Sequence, residues 1–234
     1  MCDLPVLLCF SACVYGFHLF FCHEYSIVFN VIIPSFFFHT SLLLPSSSSV
    51  HTSAASHDHS LHLWDVHTHT AIACLTGTTS PLTSVHFSPS SAVVAAACAD
   101  GSVRLWSTSS GAAVAALAGH TSAAACCMAW SSDEALVAAA AGDGSVGVWE
   151  AATGLRRVVL QCPQAAVVAR ITMSPDARLL AAAVGAPASC VHVFDLPSSS
   201  LLASPAVRGS VEQVQWSADG RALQDGHGDV FNAP

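Results

Sequence analysis

The chain has 234 residues, of which 53% are hydrophobic and only 9% are charged, and its formal net charge at pH 7 is −8. All seven cationic residues are Arg, and none lies before Arg104. Nucleic-acid-binding proteins normally carry a basic patch or stripe, so this composition argues against a nucleic-acid partner. The ten cysteines form no C-x-x-C pair. Their spacing supports no zinc site, and it is typical of small buried thiols in a reducing, intracellular compartment.

The first 45 residues differ in composition from the rest, because eight of the eleven Phe fall within the first 38 positions. Two apolar stretches, 4–21 and 25–44, are each near the ~20 residues that cross a bilayer. No Lys or Arg flanks either stretch, so nothing sets an orientation in a membrane. Three alternatives follow for residues 1–45: a segment outside the native coding sequence, a membrane anchor, or a part buried in the fold.

Residues 46–52 are Ser-rich and predict a flexible linker. The repeat region is predicted to begin at residue 53 and to run to 234. Six histidines lie close to its start: His51, His57, His59, His62, His67 and His69. Metal ligands need to converge from one side of a rigid element, whereas these straddle two turns and a strand. We interpret them as turn and surface histidines, and we predict neither a metal site nor a cofactor.

One eight-residue phrase recurs in the repeat region. It reads ADGSVRLW at 99–106 and GDGSVGVW at 142–149, with the variant HDHSLHLW at 57–64. Asp-Gly is a strong tight-turn signal, because Gly adopts positive φ without a steric penalty. The alternation of apolar residues that follows predicts a strand. Each copy therefore predicts a turn that leads into a strand ending in an aromatic residue.

Two landmarks recur in step along the chain. The strand-ending aromatics Trp64, Trp106, Trp149 and Phe194 are separated by 42, 43 and 45 residues. A second series, Phe87, Trp130, Met173 and Trp216, is spaced by 43 residues each time. Each of these four is followed by Ser, as in VHFSPS and ITMSPD, which predicts a turn. The Ser-Pro pairs at 88–89 and 174–175 are accordingly interpreted as turns in preference to phosphorylation sites. Such regular self-similarity is typical of a repeat architecture.

This pattern resembles the WD-repeat β-propeller family, whose unit is ~40–45 residues and four strands. The resemblance covers about residues 53–234 and implies an all-β fold of four to five blades, each a four-stranded antiparallel sheet. The last strands of successive units are predicted at 71–77, 113–120 and 156–162. Alanine-rich runs such as AVVAAACA are predicted as strands buried on both faces, not as helices, because turn signals bound each run.

The resemblance also assigns structural repeat positions. The turn Asp is matched by Asp58, Asp100 and Asp143, the Gly-His histidine by His120, and the Trp by Trp64, Trp106 and Trp149. The Trp-Asp dipeptide itself occurs only as Trp64-Asp65, and Asp195 follows Phe194 in the fourth unit. The strand Ser/Thr of the family is mostly replaced by Ala, which predicts blades that depend on apolar packing.

Members of this family typically hold other proteins together, so the resemblance implies a non-catalytic scaffold for protein–protein interaction. No enzyme motif such as G-x-x-x-x-G-K-[ST], H-E-x-x-H or G-x-S-x-G occurs. Two alternatives stay open: an enzyme-linked propeller module, and a propeller tethered to a membrane by residues 4–44. Seven blades would need on the order of 300 residues, so we expect this chain to be a partial or truncated propeller.

Overall fold

A computed structural model of the chain describes most of the repeat region and little that precedes it. The described residues are 32–33, 36–37, 51–55, 59–65, 70–117, 125–163, 167–185, 189–207, 214–225 and 229–232. Within these ranges the chain forms twenty β-strands and no α-helix. The short pair β1 (Ile32–Ile33) and β2 (Phe36–Phe37) stands apart from the five larger sheets.

We number the five larger sheets blade 1 to blade 5 in chain order, and all of their strand pairs are antiparallel. Blade 1 contains β3 (His51–Ala55), β4 (Leu61–Asp65) and β5 (Thr70–Leu75). Blade 2 contains β6 (Leu82–Phe87), β7 (Val93–Cys98), β8 (Val103–Ser107) and β9 (Ala113–Leu117). Blade 3 contains β10 (Ala125–Trp130), β11 (Leu136–Ala141), β12 (Ser145–Glu150) and β13 (Arg156–Gln161). Blade 4 contains β14 (Val168–Met173), β15 (Leu179–Val184), β16 (Cys190–Asp195) and β17 (Ser200–Ala203), and blade 5 contains β18 (Val214–Trp216), β19 (Ala222–Asp225) and β20 (Val230–Asn232).

The strands of a four-stranded blade pair in sequence order, and we call their positions a, b, c and d. The a strands of blades 2 to 5 contact one another in succession, and each of β3, β7 and β11 contacts the a strand of the next blade. By this contact, and by the repeat spacing, β3 occupies position b. Among the described residues, blade 1 therefore contains positions b to d and blade 5 contains positions a to c. Because neighbouring strands are antiparallel, the a–b and c–d turns lie at one end of every blade and the b–c turns at the other.

The core consists of four hydrophobic clusters, and each fills the junction between two successive blades. The alanine-rich b strands serve two of these junctions at once. In β7, Val94, Ala96 and Cys98 pack toward blade 1, whereas Ala95 and Ala97 pack toward blade 3. All five are at most 1% exposed. Small side chains suit this position, since both neighbouring sheets must pack closely against one strand.

Two β-bulges recur at equivalent places in the repeat. Blades 2, 3 and 4 each carry a register shift near the start of the a–b pairing. Blades 1 to 4 each carry one in strand d, opposite the strand-ending aromatic, where the extra residue is Ile72, Val114, Arg157 or Leu202. Bulges increase local twist and turn a side chain aside, which leaves these d-strand side chains on the surface.

The prediction of an all-β fold built of successive antiparallel blades is confirmed for the described residues, and blades 2 to 4 have the predicted four strands each. The last strands predicted at 71–77, 113–120 and 156–162 correspond to β5, β9 and β13. The alanine-rich runs are strands, as predicted. Strand β3 begins at His51, inside the segment predicted as a linker, because its residues pair with β4 along their whole length. The predicted division into 1–45, 46–52 and 53–234 otherwise stays a prediction.

Candidate functional site

The b–c turns contain the predicted turn aspartates. Asp100 accepts two hydrogen bonds at Oδ1, from the Ser102 amide at 2.9 Å and from the Ser102 hydroxyl at 2.6 Å. Asp143 accepts the same two bonds from Ser145, at the same distances. The glycine that follows each aspartate has φ of 82°, a left-handed conformation that favours Gly. These aspartates therefore organise their own turns.

Blade 1 builds the corresponding turn without glycine. His59 occupies the position of Gly101 and adopts φ of 69°. Beyond the turn, His62 Nε2 lies 2.9 Å from Ser60 Oγ, and the imidazole stacks on Trp64 with ring centroids 5.5 Å apart. Asp58 and His120, both assigned by the resemblance, lie outside the described residues, as do His57, His67 and His69. Only the backbone of His51 is described.

The strand-ending aromatics point toward the preceding blade. Trp106, Trp149 and Phe194 are each at most 3% exposed, and each belongs to the cluster between its own blade and the one before it. Trp64, in blade 1, is half-buried. Gly147 accommodates the Trp149 ring, since a Cβ at this glycine would lie 2.2 Å from Cη2 of the indole. These aromatics contribute to blade packing and lie away from solvent.

The a–b turns contain a hydrogen-bond network that sequence reasoning recognised only as a turn. In blade 4, the Ser174 hydroxyl donates to Asp176 Oδ1 at 2.5 Å and accepts the Leu179 amide at 2.8 Å. Asp176 Oδ1 also accepts the Arg178 amide at 3.1 Å. Blades 3 and 5 repeat the network with Ser131–Asp133 and Ser217–Asp219. The Ser-x-Asp spacing was the sequence signal by which this network could have been found. Ser88 and Ser174, the serines of the two Ser-Pro pairs, are turn residues and are at most 1% exposed.

The fourth residue of every a–b turn has a left-handed backbone. Its φ is 62° at Ser91, 60° at Glu134, 55° at Ala177 and 69° at Gly220. Only the last of these is glycine. The turn is held by a hydrogen bond from the amide of this residue to the carbonyl of the first serine, at 2.8 to 3.0 Å. The turn geometry thus imposes a conformation that three of the four side chains disfavour.

In blades 3 and 4, the residue after the strand-ending aromatic organises the c–d turn. In blade 3, Glu150 accepts a hydrogen bond from the Thr153 hydroxyl at 2.8 Å and pairs with Arg157 at 2.9 Å. In blade 4, Asp195 Oδ2 accepts the Ser198 amide at 3.0 Å, and Oδ1 accepts Arg178 Nε at 3.2 Å. The hydrogen bond from the Ser198 hydroxyl lowers the pKa of Asp195, with a further contribution from Arg178.

A groove of about 730 Å³ opens between blades 4 and 5 at the end that carries the a–b and c–d turns. Its lining is contributed by turns and strand ends of both blades: Asp176, Arg178, Leu179, Asp195, Leu202, Asp219, Gly220, Arg221 and Asn232. Hydrogen bonds from Ser174 and Ser217 lower the pKa of Asp176 and Asp219 respectively, so both are carboxylates at neutral pH. The groove therefore presents ionised groups of both signs beside apolar surface.

Four ionisable residues that would have to converge in an enzyme-linked propeller are dispersed over the molecule. His62 and Arg104 lie near the b–c turns of blades 1 and 2, whereas Glu150 and Asp195 lie at the opposite end of blades 3 and 4. Of the residues assigned from the sequence, only Asp195 lines the groove. In the part of the chain that the structure describes, no group of three or more metal-ligating side chains converges.

A buried histidine that the sequence reasoning did not single out lies in blade 4. His192 is 5% exposed, with Nδ1 2.8 Å from Ser204 Oγ and Nε2 3.4 Å from Cys190 Sγ. Burial lowers the pKa of the imidazole and raises that of the Cys190 thiol. Both groups are thus held neutral, unlike the thiolate–imidazolium pair of an activated nucleophile. His192 occupies the position of His62 in the repeat, and that was the signal by which it could have been found.

Three of the five described cysteine side chains are buried: Cys98, Cys127 and Cys162. Cys190 is half-buried and Cys74 is exposed, and none of the five forms a disulfide. Burial raises the pKa of Cys162 to about 11, with a smaller contribution from Cys190. The buried thiols therefore pack as apolar groups in the junctions between blades.

A family model described as WD domain, G-beta repeat matches residues 69–107 and 111–150. Residues 69–107 and 111–150 are therefore two WD repeats. Each matched WD repeat spans the d strand of one blade and strands a to c of the next, so consecutive repeats interlock consecutive blades. No curated protein matches the chain.

The two apolar stretches of the first 45 residues fall almost wholly outside the described ranges. The predicted alternatives for this segment therefore stay predictions. In the ranges that the structure does describe, no helix has the length and apolar character needed to cross a bilayer.

Proposed function

We propose that this WD-repeat protein is a non-catalytic scaffold that assembles other proteins into a complex inside the cell. WD repeats are generally protein-interaction modules, and this is the single observation that carries the proposal. The blades are rigid units, with buried b strands and hydrogen-bonded turns, that present loops at two ends. Binding residues commonly lie on loops positioned by such a rigid scaffold.

The proposal is tested by capture of partners from cells with the full-length chain. Because the chain contains no Lys, amine-reactive cross-linkers could reach it only at the α-amino group, and a carboxylate-reactive cross-linker should be used. We expect a reproducible set of proteins linked to turn acids such as Asp100, Glu134 or Asp219. Recovery of the chain without any protein enriched over a mock capture would contradict a scaffold role.

An enzyme-linked propeller is the alternative from another class. It requires general acids or bases that converge on one rim, and His62, Arg104, Glu150 and Asp195 are dispersed. The aspartates that do converge, in the groove between blades 4 and 5, have a pKa lowered by hydrogen bonds from turn serines, which does not suit a general acid or base at neutral pH. The third alternative, tethering by residues 4–44, concerns residues outside those described. Carbonate extraction of the full chain tests it, since a tethered chain stays with the membrane pellet and an untethered one is released.

A further inference from the structure

The groove between blades 4 and 5 contains two of the seven cationic residues of the chain, Arg178 and Arg221. Both side chains are exposed. They follow the a–b turns of neighbouring blades at equivalent repeat positions, two residues after Asp176 and Asp219. Packing of the two blades thus places a pair of aspartate–arginine motifs on facing walls of one cleft.

The hydrogen bonds within the groove leave specific atoms able to bind a partner. Asp176 and Asp219 use Oδ1 to hold their turns, which leaves Oδ2 of each facing solvent or a ligand. Arg178 uses Nε toward Asp195, while both of its Nη atoms remain able to donate. In the a–b turn of blade 5, Arg221 donates its backbone amide to Asp219, so its guanidinium takes no part in the hydrogen bonds that hold this turn. The cleft therefore offers donors and acceptors of opposite charge side by side.

The shape of the groove favours an extended segment over a compact ion. Its lining runs from the a–b turns out to Leu202 in strand d, the bulge residue that is 44% exposed. Leu179 adds apolar surface at the base of the b strand. A single carboxylate or ammonium group would occupy only a small part of about 730 Å³. A single charged group would also be poorly matched to the groove, because it would lie beside side chains of its own charge as well as side chains of the opposite charge.

We infer that this groove binds an extended segment of another protein in which an acidic side chain adjoins a basic one. The inference rests on the proposed scaffold function and assigns it a site. The acidic group of the partner accepts hydrogen bonds from the Nη atoms of Arg178 and from Arg221, the bidentate geometry that guanidinium groups favour. The basic group lies against Oδ2 of Asp176 or Asp219, and a neighbouring apolar residue covers Leu202.

The test uses immobilised peptide pools of degenerate sequence with one fixed central pair: Glu-Lys, Glu-Glu, Lys-Lys or Ser-Ser. The full-length chain is expected to be retained best by the Glu-Lys pool. The double variant R178A/R221A should lose about tenfold in affinity, because each exposed ion pair accounts for roughly threefold to fivefold. The matched control is Arg157→Ala, which removes an exposed, ion-paired Arg from the same end of blade 3 and should leave retention unchanged.

Arg178→Ala also removes the bond to Asp195, so Arg221→Ala alone provides a variant that keeps that ion pair. Equal retention of the Glu-Lys and Ser-Ser pools, or equal retention of wild type and Arg221→Ala, overturns the assignment. The scaffold proposal fails separately, by the absence of any captured partner from cells. Partners captured equally well by wild type and R178A/R221A would leave the scaffold standing and overturn the groove.

Discussion

The indole of Trp149 lies directly over the Cα of Gly147, two residues earlier in the same strand, so that a Cβ at Gly147 would lie 2.2 Å from Cη2 and 2.7 Å from Cζ2. Trp149 is fully buried in the junction between blades 2 and 3. The ring is surrounded by the hydrophobic cluster of this junction, so a shift would press it against other core side chains. The side chain at 147 is thereby restricted to hydrogen.

Gly147→Ala is accordingly expected to destabilise the chain by about 1–3 kcal/mol, the usual cost of overpacking a core. Chemical denaturation, monitored by Trp fluorescence, measures the change in the free energy of unfolding. The matched control is Gly185→Ala, because a Cβ at Gly185 would meet no atom within 4 Å. If both substitutions change the free energy of unfolding equally, the contact with Trp149 is not the cause.

The left-handed residues of the a–b turns should respond to substitution with opposite signs. Ala177→Gly relieves a Cβ at φ of 55° and is expected to stabilise by about 0.5–1 kcal/mol, after the greater chain entropy of Gly is deducted. Gly220→Ala introduces that strain at φ of 69° and should destabilise by about 1 kcal/mol. The new Cβ would lie 3.5 Å from Pro175 Cδ, an ordinary contact, so backbone strain dominates. Urea unfolding of the pair tests this, and changes of the same sign would contradict it.

Acid should weaken the a–b turns of blades 3 to 5. The serine hydroxyls lower the pKa of Asp133, Asp176 and Asp219 below the ordinary value of 3.8. A carboxyl whose pKa is lowered on folding stabilises the fold above its ordinary pKa, and this contribution is lost as the pH falls through the lowered value. NMR titration of the side-chain carboxyl carbons measures each pKa directly.

Ser174→Ala should raise the pKa of Asp176 toward 3.8 and leave that of Asp219 unchanged. It should also cost about 1 kcal/mol, because the Leu179 amide loses its hydroxyl acceptor in a part-buried hydrogen bond. Ser88→Ala is the control for the titration, since Ser90 stands where the other turns have Asp. An unchanged pKa at Asp176 would show that its hydroxyl partner is not responsible for the shift.

Thiol chemistry should distinguish the exposed cysteine from those in the blade junctions. At pH 8, iodoacetamide should alkylate Cys74 well before Cys162, whose pKa of about 11 keeps the thiol protonated and whose burial blocks access. Because this pKa is raised above 9.0, the thiol stabilises the fold below pH 9 and the contribution is lost as the pH rises through about 11. Peptide mass spectrometry gives the order of labelling, and denaturation at pH 8, 10 and 11 gives the stability. Cys162→Ser is the control, because its peptide contains no thiol at position 162 and should stay unlabelled there. Equal labelling rates of Cys74 and Cys162 in the native chain would contradict the burial.

The sequence by itself determined the features that depend on short-range interactions. The Asp-Gly and Ser-x-Asp turns close by hydrogen bonds between residues two to five positions apart, so residue type and spacing are sufficient to predict them. Strict spacing likewise established the repeat, and uniform apolar runs such as AVVAAACA indicated strands that are buried on both faces. The all-β propeller architecture followed from these local signals because each blade is one copy of the same unit.

Only the tertiary structure decided which residues of different blades meet. The strand-d bulges and the left-handed backbone at Ala177 lie within single blades, but no residue type marks their positions. The restriction at Gly147 depends on the Trp149 ring being held in the junction with blade 2. Arg178 and Arg221 lie 43 residues apart in sequence, and they face one groove because blades 4 and 5 pack side by side. Asp195 was assigned from its neighbour Phe194, yet its pairing with Arg178 depends on the a–b and c–d turns meeting at one end of the blade. The long-range packing of repeated units, and not the repeat itself, placed these charges together.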